Sequence, residues 1–246
     1  MVFDRYGAVY DLLYAGKDSQ AEAAYVHRIL MDEGTRVRDV LEVGCGTGRH
    51  ARPLVEAGYV IHGVERSEEM VKRAQQVDGF TVSCGDIRDV ELGRQFDAAV
   101  ALFHVLGYLT EQDHLEAGLQ NIWNHLLPGA VFIFDFWHTA AVYGTGPENR
   151  LHHYEGPNSQ VWKFATPRVL LDENVVEVSF DILMKGGDAA LETFSELHRM
   201  RHFSIFELNL LATKIGFEVV RYEPFMEDGT VSSDTWGVTA VWRKRA

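Results

Sequence analysis

The stretch Asp39-Val40-Leu41-Glu42-Val43-Gly44-Cys45-Gly46-Thr47-Gly48 constrains the fold of this chain more than any other. An apolar, β-branched run from Val37 to Val43 is followed at once by three glycines at alternate positions. Glycine tolerates a positive φ and lets a ligand approach the backbone closely. We therefore predict a strand, a turn that binds a ligand, and a helix that begins at about Gly48.

The segments around this loop alternate between strand and helix patterns. Strands are predicted at Val37 to Val43, Val60 to Glu65, Phe80 to Cys84, Phe96 to Leu102 and Ala130 to Trp137. Helices are predicted at Gly48 to Ala57, Glu68 to Gln76 with Ser67 as its N-cap, and Glu111 to Leu126, which Pro128-Gly129 would stop. This alternation predicts an α/β fold with a parallel, doubly wound sheet.

The pattern changes after about Tyr143, where strands follow one another without helices between them. These strands are predicted at Val161 to Thr166, Val169 to Leu171, Val175 to Met184 and Glu192 to Met200. A helix at Ile205 to Ile215, stopped by Gly216, and strands at Phe217 to Tyr222 and Gly237 to Arg243 would close the fold. We expect one domain over residues 1–246, with a helical lead-in over 1–36 and an antiparallel insertion over about 144–203.

Composition excludes several classes of partner. No run approaches the roughly 20 apolar residues of a membrane-spanning helix, so we expect no membrane partner. The formal net charge of −13 repels phosphate backbones, so we expect no nucleic-acid partner. Two cysteines do not form a disulfide framework, and the first residues do not resemble a signal peptide, so we expect a reducing cytoplasm.

Three kinds of turn compete for the glycine loop. A dinucleotide site of the form Gly-x-Gly-x-x-Gly would want a small residue where Arg49 stands. A P-loop needs Gly-Lys-Ser/Thr after four spacer residues, which this loop lacks. The third alternative is a tight strand–helix turn that binds no ligand.

Side chains at the ends of the next two strands favour a ligand. Glu65 lies roughly 20 residues beyond the loop, where an acid hydrogen-bonds ribose hydroxyls. Asp86 follows the third strand, where it can accept from an adenine amino group, and Met70 is spaced to lie over an adenine face. Structural roles are the alternative, Asp86 as a loop cap and Met70 in the core.

As a set, these residues resemble the motifs of the class I S-adenosylmethionine-dependent methyltransferases. The resemblance covers about residues 37 to 137 and rests on the Glu-x-Gly-x-Gly-x-Gly loop, Gly63 to Met70, Gly85-Asp86-Ile87, Phe96 to Val100 and Leu127 to Ala130. Further segments look like the bacterial nucleotide-sugar N-methyltransferases, which dimethylate amino sugars. These segments are Tyr10 to Tyr14 with Lys17-Asp18, Val105 to Leu109, Phe194 to His198, and Gly216-Phe217.

The resemblance implies a seven-stranded Rossmann-like sheet that binds S-adenosylmethionine and releases S-adenosylhomocysteine. The implied donor-binding residues are Tyr14, Glu42, Gly44, Cys45, Gly46, Glu65, Arg66, Met70, Asp86, Ile87 and Leu102. The glycines would hold the methionyl part, Glu65 the ribose, and Asp86 with Ile87 the adenine. Tyr14 would fold over the methyl donor and face its sulfonium charge, although packing of an amphipathic lead helix is an alternative role.

The methyl acceptor is expected beyond the fourth and fifth strands. Its candidate binding residues are Phe103, His104, Tyr108, Trp137, Tyr143, His198 and Arg201. His104 is the preferred base because histidine titrates near neutrality, and Tyr14 and His198 are the further catalytic candidates. A structural histidine at position 104, and surface roles for His198 and Arg201, are the alternatives.

The sequence predicts no metal site. His198 and His202 have the i, i+4 spacing of metal ligands, but that spacing brings ligands together only on a helix, and we predict a strand there.

The predicted function is methylation of a small molecule, with an amino group of a nucleotide-linked sugar as the favoured acceptor. An O-methyltransferase of another small metabolite or natural product is the first alternative, and a non-catalytic module that binds S-adenosylmethionine is the second. A nucleotide oxidoreductase is disfavoured by Arg49. A second copy of the chain, in a homodimer, is a possible partner.

Overall fold

A computed structural model describes Leu13 and residues 16–33, 36–156, 159–187 and 190–245. Tyr14 lies outside these residues. Helix α1 (Ser19–Asp32) begins behind Asp18, whose side chain accepts a hydrogen bond from the Ala21 amide at 2.8 Å. Its apolar face, which includes Val26 and Ile29, is fully buried, so this helix packs onto the core.

The strands and helices of the first part of the chain alternate as predicted. In chain order they are β1 (Asp39–Val43), α2 (Ala51–Glu56), β2 (Val60–Glu65), α3 (Glu68–Ala74), β3 (Phe80–Cys84), β4 (Phe96–Ala101), α4 (Gln112–Asn124), β5 (Leu126–Trp137) and α5 (Thr139–Gly144). A short 3₁₀ turn (Val105–Tyr108) follows β4.

The second part contains consecutive strands and then returns to the first sheet. Its elements are β6 (Arg150–Gly156), β7 (Ser159–Leu170), β8 (Val175–Gly186), β9 (Glu192–Arg201), α6 (Ile205–Ile215), β10 (Phe217–Pro224) and β11 (Gly237–Lys244). A short 3₁₀ turn (Leu171–Glu173) joins β7 to β8. Among the described residues, no helix is long and apolar enough to cross a membrane.

The large sheet has seven strands in the order β10-β11-β5-β4-β1-β2-β3. Strands β1 to β5 are parallel to one another, whereas β11 runs antiparallel to both β5 and β10. The chain turns from one half of the sheet to the other between β1 and β4, and open α/β sheets bind ligands at such a switch point. The predicted doubly wound sheet is confirmed.

Strand β5 shows how both faces of this sheet are covered. Phe132, Phe134 and Phe136 alternate along the strand and pack into one core cluster, together with Trp242 of β11. Val131 and Ile133 point to the opposite cluster because successive side chains of a strand face opposite sides. Asp135 and Trp137 continue this second face toward the carboxyl edge of the sheet.

The small sheet has four antiparallel strands in the order β6-β7-β8-β9. The prediction missed β6, because its side chains are mostly exposed and lack the alternation of a half-buried strand. The prediction of two strands at Val161 to Thr166 and Val169 to Leu171 was wrong, since β7 runs through Pro167.

Two predicted boundaries at the large sheet were also wrong. Helix α2 begins at Ala51, because Gly48 to His50 still belong to the turn. Helix α4 ends at Asn124 before it reaches Pro128-Gly129, which lie within β5, where the register against β4 shifts. Pro128 and Gly129, of which Gly129 has a φ of +80°, fit the irregular start of a strand as well as the end of a helix.

Candidate active site

A cavity of about 230 Å³ opens at the carboxyl edge of β1, β2 and β4 and extends to the small sheet. Its donor end, as we name it, is lined by Lys17, Val43, Gly44, Cys45, Gly46, Thr47, Arg49, His50, Val64, Glu65, Arg66, Ser67, Met70, Gly85, Asp86, Ile87 and Leu102. Its acceptor end is lined by Phe103, His104, Val105, Tyr108, Leu109, Trp137, Val178, Phe180, His198 and Met200.

The glycine loop forms the floor of the donor end. Gly44 and Gly46 have φ of +63° and +55°, a region that other residues rarely adopt. A Cβ on Gly44 would lie 2.7 Å from both γ-methyl groups of Val105, so the backbone approaches the loop after β4 closely. The Gly44 amide donates to the Val64 carbonyl at 2.8 Å, which fixes the turn against β2.

Glu65 lies at the end of β2 and faces the cavity. Its Oε2 accepts from the Gly46 amide at 3.1 Å, and its Oε1 accepts from the Ser67 amide at 2.8 Å. Ser67 in turn N-caps α3 by accepting from the Met70 amide. A carboxylate has about four lone-pair sites, so Glu65 can bridge the loop to α3 and still accept from a ligand hydroxyl.

Asp86 follows β3 and is held by a neighbouring arginine. The Nε and Nη2 atoms of Arg88 donate to its two oxygens at 2.9 and 2.8 Å. Burial by itself raises the pKa of Asp86, but the hydrogen bonds and charge of Arg88 outweigh it and lower the pKa below its usual value. Asp86 therefore presents an ionised carboxylate beside Ile87 and Met70 at this wall of the cavity.

A buried network of charges lies beneath the donor end. His50 Nε2 is 2.6 Å from Glu22 Oε2, and its Nδ1 is 3.6 Å from Glu42 Oε1. Lys17 Nζ lies 3.1 Å from Glu22 Oε1 and 3.3 Å from the centre of the Phe103 ring. Burial by itself lowers the pKa of His50, but Glu22 and Glu42 raise it to about 9.

One carboxylate oxygen of Glu42 is the polar atom of this network that has no hydrogen-bond partner among the described residues. Its side chain is 2% exposed, and its Oε2 is buried without a hydrogen bond. A buried carboxylate oxygen without a partner carries a desolvation cost, which a cationic ligand group would relieve.

His104 dominates the acceptor end. Both Phe103 and His104 have a left-handed backbone, with φ of +73° and +61°, a strain that marks many functional loops. The His104 amide donates to Asp135 Oδ1 at 3.1 Å, and its ring Nδ1 lies 2.8 Å from Asp135 Oδ2. The second contact turns Nδ1 of the ring toward the carboxylate and leaves Nε2 on the other side of the ring.

The prediction missed Asp135, the partner of His104. Asp135 is 1% exposed and lies between Phe134 and Phe136 on β5. Burial by itself raises its pKa, but the interaction with the His104 ring, the hydrogen bond from the His104 amide and the charge of Lys17 together outweigh burial and lower it. An acid inside an otherwise apolar strand was the available signal, because buried carboxylates are rare unless they are paired.

The small sheet forms the far wall of the acceptor end. Val178 and Phe180 of β8 and His198 and Met200 of β9 line it. His198 is 2% exposed, and its Nδ1 lies 2.9 Å from the Tyr108 hydroxyl. These strands were predicted, but their approach to the loop after β4 depends on the packing of distant segments.

Most of the predicted site residues line this cavity, but three described ones do not. Glu42 lies beneath it. The Tyr143 hydroxyl donates to the Leu171 carbonyl and Asn174 Oδ1 at 3.0 and 2.7 Å, away from the cavity. Arg201 is held by Gln112 and Glu207 at 2.8 and 2.5 Å. Tyr14 lies outside the described residues.

No cluster of three or more potential metal ligands occurs in the part of the chain that the structure describes. His198 and His202 are not paired as ligands: His202 is buried, and its Nδ1 is 2.9 Å from the Thr139 hydroxyl. His198 lies on a strand, as predicted.

Residues 40–129 match the family described as "Methyltransferase domain". Over this range, which is less than half of the chain, the sequence is similar to that family. Over 141 residues it is 34% identical to dTDP-3-amino-3,4,6-trideoxy-alpha-D-glucopyranose N,N-dimethyltransferase of Streptomyces venezuelae, an alignment that spans 56% of this chain and 60% of that enzyme. Over 220 residues it is 29% identical to dTDP-3-amino-3,6-dideoxy-alpha-D-glucopyranose N,N-dimethyltransferase of Streptomyces fradiae, spanning 86% of this methyltransferase and 83% of that one.

A solved structure shows the same fold. The S-adenosylmethionine-dependent methyltransferase from Clostridium acetobutylicum superimposes with a TM-score of 0.82 at 19% identity, and the match covers all of both chains. The predictions of a methyltransferase, of its Rossmann-like fold and of S-adenosylmethionine as the donor are confirmed.

Proposed function

We propose that this methyltransferase transfers a methyl group from S-adenosylmethionine to an amino group of a nucleotide-linked sugar. The observation that carries the proposal is one continuous cavity, with the glycine loop and Glu65 at one end and the His104–Asp135 pair at the other. Support for the amino sugar comes from the two Streptomyces relatives, whose names describe N,N-dimethylation of such sugars.

The residues of the donor end fit S-adenosylmethionine. The Gly44–Gly46 backbone would receive the methionyl part, and the buried carboxylate of Glu42 beneath the loop would attract its ammonium group. Glu65 and Asp86 would accept from the ribose and the adenine. When bound, the donor supplies a methyl group that its sulfonium charge already activates.

Much of the acceleration would come from alignment of the acceptor nitrogen with this methyl group. The nitrogen must be neutral to attack, and it becomes cationic afterwards. Since Nδ1 of His104 faces Asp135, Nε2 is the ring nitrogen left to take the released proton. Asp135 would orient the ring and stabilise the resulting imidazolium, as a buried acid does in other histidine–acid pairs.

The walls of the acceptor end would keep water from the reacting groups. The His104 ring lies 5.3 Å from the Trp137 ring and 5.9 Å from the Phe103 ring, measured between centroids. Aromatic walls with a few placed polar groups are typical of small-molecule sites.

O-methylation is a second candidate, and the same histidine favours it. A hydroxyl attacks poorly until a base removes its proton, so an acid-paired histidine is of more use to a hydroxyl than to a neutral amine.

The decisive assay offers labelled S-adenosylmethionine together with dTDP-3-amino-3,4,6-trideoxyglucose or its 3-hydroxy counterpart. Transfer to the amine alone supports the proposal, and transfer to the hydroxyl alone replaces it with O-methylation. Calorimetry with S-adenosylhomocysteine and NAD tests the donor site separately. Binding of the homocysteine product without transfer to either acceptor would favour a non-catalytic module.

The wider predictions stay predictions. They are one domain over residues 1–246 with a lead-in and an insertion, a cytoplasmic location, no nucleic-acid partner, and a possible homodimer. The net charge of −13 supports a small acceptor over a nucleic acid. Tyr14 stays a predicted donor-binding residue outside the described residues, whereas we leave Tyr143 and Arg201 out of the proposed set of acceptor-binding residues.

A further inference from the structure

A chain of three polar side chains ends at the acceptor end of the cavity. Glu196 Oε2 lies 3.3 Å from Nε2 of His198, and Nδ1 of His198 lies 2.9 Å from the Tyr108 hydroxyl. Glu196 and His198 are on β9, and Tyr108 ends the 3₁₀ turn after β4. Tyr108 lines the acceptor end, so these hydrogen bonds join the small sheet to the wall of the cavity.

Close packing holds the two ends of this chain together. Gly107 precedes Tyr108, and a Cβ there would lie 3.0 Å from the carbonyl oxygen of Arg201 on β9. A side chain at residue 107 would therefore push the turn and the strand a few tenths of an ångström apart. The rings of Tyr108 and Phe180 pack edge-on against His198, with centroids 5.9 and 4.8 Å away.

The chemistry of the three groups fixes the direction of the hydrogen bonds. A carboxylate can only accept, so Nε2 of His198 must carry a proton toward Glu196. A neutral imidazole has one N–H, which leaves a lone pair on Nδ1. The Tyr108 hydroxyl must then donate to Nδ1.

The surroundings of His198 favour its neutral form. Burial lowers its pKa to about 4; Glu196 opposes this shift, and the charge of Lys163 adds to it. Lys163 lies on β7, where its ammonium is 4.1 Å from the centre of the Phe180 ring. A second proton on His198 would reverse the bond to Tyr108, and the buried lysine makes that proton costly.

We propose that Glu196 and His198 are positioning residues, which hold the hydroxyl proton of Tyr108 in the hydrogen bond to Nδ1 of His198. The Tyr108 oxygen can then only accept a hydrogen bond from the molecule that is methylated. Tyr108 is then a specificity-determining residue that selects acceptors presenting a hydrogen-bond donor, such as an amine N–H, at this point. The inference rests on the proposed function, because it assigns Tyr108 to the acceptor of that reaction.

This polarity has a consequence for repeated methylation. A primary amine that donates one N–H to Tyr108 keeps its lone pair for the methyl group. A secondary amine still has one N–H to donate, whereas a tertiary amine has none. The second transfer gives a tertiary ammonium, which keeps its one N–H until that proton leaves. Loss of the proton would end the contact with Tyr108, weaken binding of the neutral dimethylated amine and favour its release.

Nitrogen NMR of the full-length chain, labelled with ¹⁵N-histidine and saturated with S-adenosylhomocysteine, tests the relay directly. We expect His198 to have a protonated Nε2 and an unprotonated Nδ1 at pH 7, and we assign its signals as those that disappear in His198→Gln. Glu196→Gln should change this pattern, because an amide can donate to Nε2. His153→Gln is the matched control, since His153 stacks on Trp162, with ring centroids 4.8 Å apart, on the side of the small sheet away from the cavity.

Kinetics test the role of the oxygen. Tyr108→Phe should raise KM for dTDP-3-amino-3,4,6-trideoxyglucose about five- to tenfold, the value of one neutral hydrogen bond, and leave S-adenosylhomocysteine affinity unchanged. Glu196→Gln should raise KM in the same direction, with kcat less affected.

The outcomes separate the inference from the proposed function. A protonated Nδ1 on His198, or an unchanged KM in Tyr108→Phe, overturns the inference even if the amine is methylated. A wild-type enzyme that binds S-adenosylhomocysteine but leaves the amine unmethylated overturns the proposed acceptor, and the histidine spectrum still decides the relay.

Discussion

The two ends of the cavity are built in different ways. The donor end consists mainly of backbone and short loops at the ends of three adjacent parallel strands, each held by near neighbours in the large sheet. The acceptor end is built from side chains of the loop after β4, the end of β5, and two strands of the small sheet. One end therefore depends on local backbone geometry, and the other on packing between segments far apart in the chain.

The contrast indicates that the two ends of the cavity have separate roles, donor binding at one end and acceptor binding and turnover at the other. Gly44 matters because it has no side chain, since a Cβ at this position would clash with Val105. His104 and Tyr108 are positioned by contacts with other side chains, those of Asp135 and His198 respectively. Variants at the donor end should change binding of the donor, whereas variants at the acceptor end should change turnover or acceptor binding.

The largest effect is expected from Gly44→Ala. A Cβ there would lie 2.7 Å from the Val105 methyl groups, and the φ of +63° is unfavourable for alanine. Together we expect a cost of about 3 to 4 kcal/mol, which corresponds to several hundred-fold weaker binding of S-adenosylhomocysteine by calorimetry. Gly58→Ala is the control, because it has a φ of +98° and open space for the methyl group. Equal affinities in the two variants would show that the loop is not the donor floor.

The charges beneath the donor end should make the stability of the fold depend on pH through His50. The folded-state pKa of His50, about 9, lies above the ordinary histidine pKa of 6.5. His50 therefore stabilises the fold fully below pH 6.5 and loses this effect as pH rises through 9. The shift corresponds to about 3 kcal/mol.

The measurement compares denaturant unfolding of the wild type and His50→Gln from pH 6 to 10. The difference in free energy of unfolding should shrink as pH rises. The comparison between variants is needed because Lys163, with a pKa lowered to about 8 by burial, changes stability in the opposite direction above that pH. A difference independent of pH would exclude a charged His50.

At the acceptor end, His104→Gln should lower kcat about 100-fold, the lower end for general acid–base catalysis. Affinity for S-adenosylhomocysteine should stay within about twofold, since a substitution at the acceptor end leaves the contacts of the donor end intact. His114→Gln, on the exposed side of α4, is the control. A loss of kcat under threefold would mean that alignment alone drives transfer to this acceptor.

The smallest effect separates stability from donor binding. Ser67 and Ser204 cap α3 and α6 by accepting from the Met70 and Glu207 amides at 3.4 and 3.1 Å. Either serine-to-alanine change should cost about 1 kcal/mol of unfolding free energy. Only Ser67→Ala should also weaken S-adenosylhomocysteine binding, because Ser67 lines the donor end beside Glu65. Weaker binding in Ser204→Ala as well would point to a general loss of stability.

The parallel half of the large sheet was predictable because its signals are local. Buried parallel strands are short apolar runs, and β2 and β3 have the predicted bounds. The strand β6 escaped prediction because an exposed strand has no such pattern. Turn residues were also ambiguous, since Pro128-Gly129 could stop a helix or start an irregular strand.

The sequence by itself determined the glycine turn, the acid at the end of β2 and the order of strands and helices, because each depends on backbone conformation within a few residues. Only the tertiary structure decided that Asp135 pairs with His104, that His198 meets Tyr108, and that Tyr143 and Arg201 face elsewhere. Such pairs depend on how two sheets pack, and side-chain period tells which face of a strand a residue occupies but not which distant residue it will meet.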